Sequence, residues 1–267
     1  MIRVEDIFVV FFSGTPLERI ALRGVNFTVD EGEIISVVGS NGSGRSTLMH
    51  FLAGQIKSSF GRLWYNKEDI TGQSFPQRSK IFSSISYDCD AGSAGDLTVA
   101  ENLLIASMHH QDMNIIRPAM TQEKHDMFYE QLRELNFMNI EDLIDEKVNR
   151  ISRTHRQILA LLMAVIKETK VLLIDEHTTG LDEESAAKLL ETTEKIVRSK
   201  KITTIMTSGD PKLALNISDK VVVLRHGQVV AEVGGEEKKE LKVEDIYEFL
   251  NVTSSLKRAR ISRRGIK

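Results

Sequence analysis

Short apolar runs alternate with amphipathic stretches along most of this chain. Ile34-Ile35-Ser36-Val37-Val38, Val171-Leu172-Leu173-Ile174 and Lys201-Ile202-Thr203-Thr204-Ile205-Met206 are nearly continuous in apolar or β-branched character. That is the pattern of strands buried on both faces. Residues 183–200 instead place Leu189, Leu190, Thr193, Ile196 and Val197 on one face at helical spacing. Residues 47–53 read as a further helix. Buried strands alternating with amphipathic helices predict an α/β fold built on a parallel sheet covered on both sides.

Three regions depart from that alternation. Ile2-Arg3-Val4, Ile20-Ala21-Leu22 and Val25-Asn26-Phe27-Thr28-Val29 read as short antiparallel strands. Val221-Val222-Val223-Leu224 and Gln228-Val229-Val230-Ala231 flank a His226-Gly227 turn and predict a hairpin. Between about residues 97 and 160 the strands disappear. Thr98-Val99-Ala100-Glu101 has capping-box spacing, and residues 122–136 and 156–167 read as helices, so a helical subdomain inserted between strands is expected. Residues 235–239 read as a solvated loop and 244–251 as a closing helix.

Composition narrows the class. The 267 residues, 41% of them apolar, suit one large domain or two small ones and exclude a disordered chain. The net charge of -3 hides an asymmetry. Residues 257–267 hold six of the 35 basic residues and no acid, which leaves 29 to set against 38 acidic in the body. An acidic body argues against nucleic acid as a partner. A single cysteine, Cys89, points to a reducing compartment. Apolar runs such as 158–166 are too short to span a membrane, and Met1 to Asp6 lacks a secretory signal pattern. The expectation is a soluble cytoplasmic chain that reaches a membrane only through partners.

Candidate chemistry starts at Gly39-Ser40-Asn41-Gly42-Ser43-Gly44-Arg45-Ser46-Thr47, between a predicted strand and a predicted helix. In that context glycines let successive backbone N–H groups face a triphosphate, and the helix N-terminus adds partial positive charge. Ser46 stands where a hydroxyl would ligate Mg²⁺. The lysine of such loops is replaced by Arg45, whose planar fork is bulkier than an ammonium. Asp175 and Glu176 end another buried strand, where an aspartate suits Mg²⁺ and a glutamate suits polarising a water as general base. Thr178-Thr179-Gly180-Leu181-Asp182 follows.

These motifs, with Leu97-Thr98-Val99-Ala100-Glu101-Asn102-Leu103 and Asp219-Lys220-Val221-Val222-Val223-Leu224, resemble an ABC-type ATPase over about residues 1–250. The wording Asp175-Glu176-His177-Thr178-Thr179, with His177 where most members have proline, resembles importer ATPases of tryptophan/tyrosine-type systems. Ala94-Gly95-Asp96 and the 235–239 run add to that likeness. The resemblance implies a P-loop NTPase with a RecA-like parallel sheet, an N-terminal antiparallel β subdomain and a helical subdomain at about 97–160. It leaves 251–267 as a basic tail. It also implies ATP and Mg²⁺ as cofactors, membrane permease subunits, a second ATP-binding subunit (homodimer or heterodimer) and an extracytoplasmic substrate-binding protein. The resemblance further implies a cytoplasmic chain held peripherally at the inner face of the membrane through the permease.

The same resemblance exposes departures. The signature turn reads Ile151-Ser152-Arg153-Thr154-His155, keeping Ser152 but no glycine. The switch glutamine falls at Tyr87, or Asp90 in a shifted register, and the switch histidine at Gly209. Phe11 or Phe12 stands where an aromatic would stack on adenine, or belongs to the core. Asp182 remains, as do Asp175 and Glu176. Met108, Met113, Met120 and Met127 read as core, in a region where the family receives a permease helix. His109 and His110 read as surface residues. Impaired hydrolysis is expected, in the degenerate half of a heterodimeric transporter. The alternatives are a nucleotide-binding scaffold or regulator beside an intact ATPase subunit, or the product of a decaying gene.

Overall fold

The computed structural model describes residues 1–88, 90–108 and 120–251; Cys89, His109, His110, Met113 and the 257–267 stretch lie outside the described residues. The chain opens with β1 (Ile2–Phe11), paired antiparallel with β2 (Arg19–Val29). Segments 20–22 and 25–29 are thus one long strand rather than two short ones. In β1 the apolar phase slips from Ile2 and Val4 to Ile7 and Val9, yet all four are buried. A register shift between Val4 and Ile7, with Asp6 at φ +53°, absorbs the extra residue and returns the side chains to one face. β3 (Ile34–Val38) and helix α1 (Arg45–Ala53) follow. β4 (Phe60–Tyr65) and β5 (Glu68–Asp69) then complete a sheet of order β2-β1-β4-β5.

A short helix α2 (Phe75–Arg78) leads to β6 (Phe82–Ile85). Next come α3 (Val99–Ser107), α4 (Gln122–Leu135) and α5 (Arg153–Val165), inserted before β7 (Val171–Asp175). The capping box is formed: Thr98 Oγ1 accepts from the Glu101 N–H at 3.1 Å and Glu101 Oε2 from the Thr98 N–H at 2.8 Å. α5 begins three residues before the sequence pattern suggests, because Ser152 caps it. Met120 packs against the helical core while Met127 is exposed.

The chain continues through α6 (Glu183–Ser199), β8 (Thr203–Ser208), α7 (Pro211–Ile217), β9 (Lys220–Arg225), β10 (Gln228–Gly234), α8 (Gly235–Glu240) and α9 (Val243–Asn251). The 235–239 run is therefore a helix, not a loop, though none of its residues is buried. The second sheet has order β10-β9-β3-β8-β7-β6; all its pairs are parallel except the β9–β10 hairpin.

Strand β7 shows why the apolar runs are continuous. Leu172 and Ile174 face the helical core, whereas Val171 and Leu173 face α1 and the antiparallel sheet. Parallel pairing puts the carboxyl ends of β3, β8, β7 and β6 on one edge. The chain leaves that edge at the glycine-rich loop, Gly209, Glu176 and the Tyr87 segment respectively. Among the described residues no helix is long and apolar enough to cross a membrane.

Candidate functional site

The loop between β3 and α1 borders a cavity of about 730 Å³. Ser40 through Thr47 line it, with Phe11, Glu18, Arg19, Ile20, Ala21, Arg23, Glu176 and His226. Gly39 lies behind the lining, and nothing larger fits there. A Cβ on it would stand 2.4 Å from both the Leu224 carbonyl oxygen and Ser43 Oγ. Gly42 and Gly44 adopt φ +76° and +106°, backbone that side chains resist. Ser46 is exposed beside the cavity, and Phe11, rather than Phe12, borders it; both phenylalanines are exposed and neither is core.

Arg45 forms the floor. Its side chain is only 6% exposed, and Nη2 is ion-paired with Glu176 Oε1 across 131 residues of sequence. Nε and Nη1 are buried without a partner, as is Ser43 Oγ. Glu176 holds φ +50°, unusual for a residue with a side chain. Thr207 knits the strand ends together. Its hydroxyl donates to Asp175 Oδ1 at 2.6 Å and accepts from the Glu176 N–H at 3.1 Å. The pattern of the β8 segment marks Thr207 only as a buried strand residue; its position opposite Asp175 comes from the parallel β7–β8 register. A glycine-rich turn opening a helix, backed by a buried guanidinium with free N–H groups, is suited to an anion.

Gly209 stands beside Arg45, and the remaining candidates are absent from the cavity lining. Tyr87 is exposed, and Arg153 stacks over its ring at 5.3 Å while Nη2 donates to the Tyr87 carbonyl at 3.4 Å. Two departures from the resembled motifs therefore touch each other. Ser152 Oγ accepts the His155 N–H at 3.2 Å and hydrogen-bonds His155 Nδ1 at 2.8 Å, so the serine is engaged as a helix cap. Asp182 caps α6, accepting from the Ser185 N–H at 2.9 Å, and those hydrogen bonds hold its carboxyl below the usual range. Thr154 is buried in α5. Among the described residues no group of three or more His, Cys, Asp or Glu is placed to hold a metal. Ser46 lines the cavity, whereas Asp175 lies outside its lining with Oδ1 engaged by Thr207.

His177 is 2% exposed, and burial pushes its pKa down to about 4. The Thr193 hydroxyl donates to the Leu189 carbonyl at 2.7 Å, leaving the neutral imidazole Nε2–H to donate to Thr193 at 3.3 Å. The unfolded chain takes up this proton near pH 6.5, the folded chain only near 4. Stability present above pH 6.5 is therefore lost as pH falls toward 4, up to about 3 kcal/mol. Urea unfolding at pH 7 and pH 5 should show a smaller loss in His177→Leu than in the unsubstituted chain. Parallel losses in the two proteins would refute this.

The family model described as ABC transporter matches residues 22–179. The tyrosine transport ATP-binding protein of Clostridioides difficile (strain R20291) is 35% identical over 224 residues, covering 84% of this chain and 88% of that protein. An ATP-binding cassette solved as a dimer in a post-hydrolysis state, bound to ADP and Pi, superposes with TM-score 0.70 at 21% identity, over 88% of this chain and 98% of that one. So does cbiO1 from Clostridium perfringens, part of the ABC transporter complex cbiONQ, with TM-score 0.75 at 21% identity over 98% of both chains. The chain belongs to the ABC transporter family, as one of its ATP-binding subunits.

Proposed function

We propose that this chain binds MgATP and couples it to the permease of an importer for amino acids or similar small solutes, with hydrolysis at its own loop impaired. The buried Arg45 guanidinium carries the reading. It offers two unpartnered N–H groups at the cavity floor, which favours an anion, while its third nitrogen is bound to Glu176. Residues 39–47 would hold the phosphates, Ser46 and Asp175 the Mg²⁺, and Phe11 the base. MgATP supplies the binding energy and the phosphoanhydride bond on which a transport cycle draws.

Glu176 is the candidate general base, but one carboxylate oxygen is engaged by Arg45 rather than open to a water. Tyr87, Gly209 and the Arg153/Thr154 turn complete the impaired set. Ser152 and Asp182 are the residues offered to a second ATP-binding subunit, and the dimeric post-hydrolysis state of the similar solved cassette supports such pairing. The tyrosine-transport relative supports an amino-acid-type system; an extracytoplasmic substrate-binding protein would complete it. Residues 1–250 form the nucleotide-binding domain, with the helical subdomain at about 97–160 and the tail at 251–267. The chain then sits at the inner face of the membrane through its permease. The Arg45–Glu176 pair also favours a second reading, a non-hydrolysing scaffold or regulatory subunit beside an intact ATPase.

A ligand of the folded state raises the melting temperature, by about 2.7 kcal/mol of added stability at a hundred times its Kd. Millimolar MgATP should therefore shift the melting curve of the purified chain upward. No shift, together with no heat of binding in calorimetry, would end the reading.

A further inference from the structure

Gly209 is not demanded by its own backbone. Its φ lies outside the left-handed region, so a side chain is sterically allowed there. What a side chain would meet is specific. Among the described residues other than its two chain neighbours, the only heavy atom within 4 Å of an added Cβ is Arg45 Nη2, at 3.8 Å. A methyl group fits at that distance in ordinary contact, and an imidazole carried on it in the rotamer that points at Nη2 would enter the space of the guanidinium. Arg45 is held where it lies by the pairing of that same nitrogen with Glu176, its side chain only 6% exposed. A lysine there would end in one compact ammonium and leave the space of the fork free.

We infer that Gly209 is a positioning residue for Arg45. Its missing side chain makes the room in which the guanidinium lies, so the two departures are one compensated change rather than two separate losses. One cation then covers both corners of the cavity floor, holding Glu176 through Nη2 and leaving Nε and Nη1 for a bound phosphate. This rests on the nucleotide-binding reading above and adds the coupling between the two positions.

The test is a double-mutant cycle on the full chain with Arg45→Lys, Gly209→His and both together. It is read by the melting midpoint without nucleotide and by MgATP affinity in calorimetry. With Arg45 present, Gly209→His should lower the midpoint by several degrees and weaken ATP binding about tenfold. With lysine at position 45 both effects should shrink to within about twofold of no change in affinity and to no shift in midpoint. Gly209→Ala should be neutral in both backgrounds. Equal losses in the two backgrounds, or failure of Gly209→His to fold in either, would overturn the coupling. Absence of ATP binding by the unsubstituted chain would count against the nucleotide reading instead, leaving the nucleotide-free melting cycle to decide the coupling.

Discussion

Purified to homogeneity, the chain is expected to turn over MgATP at least about a hundredfold more slowly than an ABC subunit with the usual lysine, glutamine and histidine. Those residues would stand where Arg45, Tyr87 and Gly209 are. Losing one preorganised donor to a transition state typically costs on the order of 10²–10³ in rate. Here the Tyr87 ring lies under Arg153, Gly209 has no side chain, and Arg45 is partly spent on Glu176. Members of one catalytic unit do not add, so the hundredfold figure stands for the group, not for each residue. A steady-state rate within tenfold of an ordinary subunit would refute the expectation. Adding an intact partner subunit separates the two functional readings. A heterodimeric engine gains turnover that depends on this chain's Ser152 and Asp182, whereas a scaffold adds none.

Replacing Arg78 should cost stability on the scale of the whole fold. Its side chain is among the largest that are fully buried, at 1% exposure. Nη1 donates to the Phe51 carbonyl and to Leu52 O at 3.3 Å, at the end of α1. Nη2 donates to Ile70 O at 3.2 Å and Thr71 O at 2.8 Å, beyond the last strand of the antiparallel sheet. The guanidinium also lies over the Phe51 ring at 5.1 Å. Burial pushes its pKa down to about 10, so it stays charged at neutral pH. It adds a second donor to the Phe51 and Ile70 carbonyls, which the Gly54 and Gln73 N–H groups also reach, and donates to those of Leu52 and Thr71. Arg78→Met takes the donor from the Leu52 and Thr71 carbonyls and leaves Phe51 and Ile70 to their backbone partners, and the expected loss is about 2–4 kcal/mol. Arg78→Lys keeps the charge but not the fork and should recover only a minor part. Denaturant midpoints with unchanged slopes would measure it. A loss below about 1 kcal/mol would show that other groups satisfy those carbonyls.

Much of the architecture is legible along the chain because its signals are local. The apolar runs at 34–38 and 171–174, the glycine-rich loop, the Thr98 capping box and the His226-Gly227 hairpin each depend on neighbours a few residues away. All five appear in the fold. Shorter or weaker elements were not legible. β6, only four residues long with two serines, has no apolar period of its own and becomes a strand by pairing with β7. Residues 235–239 look like a charged loop because no face of that helix is buried.

The site divides along the same line. Its motifs follow from sequence, since phosphate-loop spacing and the Asp175-Glu176 strand end are contiguous. Their relations do not. That Arg45 reaches Glu176, that Gly209 stands beside its guanidinium, and that Thr207 bridges Asp175 to the Glu176 backbone all follow from parallel strands ending on one edge. Arg153 meeting Tyr87 needs the helical insertion folded back onto the core. Arg78, unremarkable in sequence, becomes a buried clamp only when α1 and the antiparallel sheet close around it. The sequence by itself determined the longer elements and the family they belong to, because those are short-range patterns of burial and backbone freedom. The tertiary structure alone decided which charges share a partner, because partners and space at the cavity floor come from residues more than a hundred positions apart.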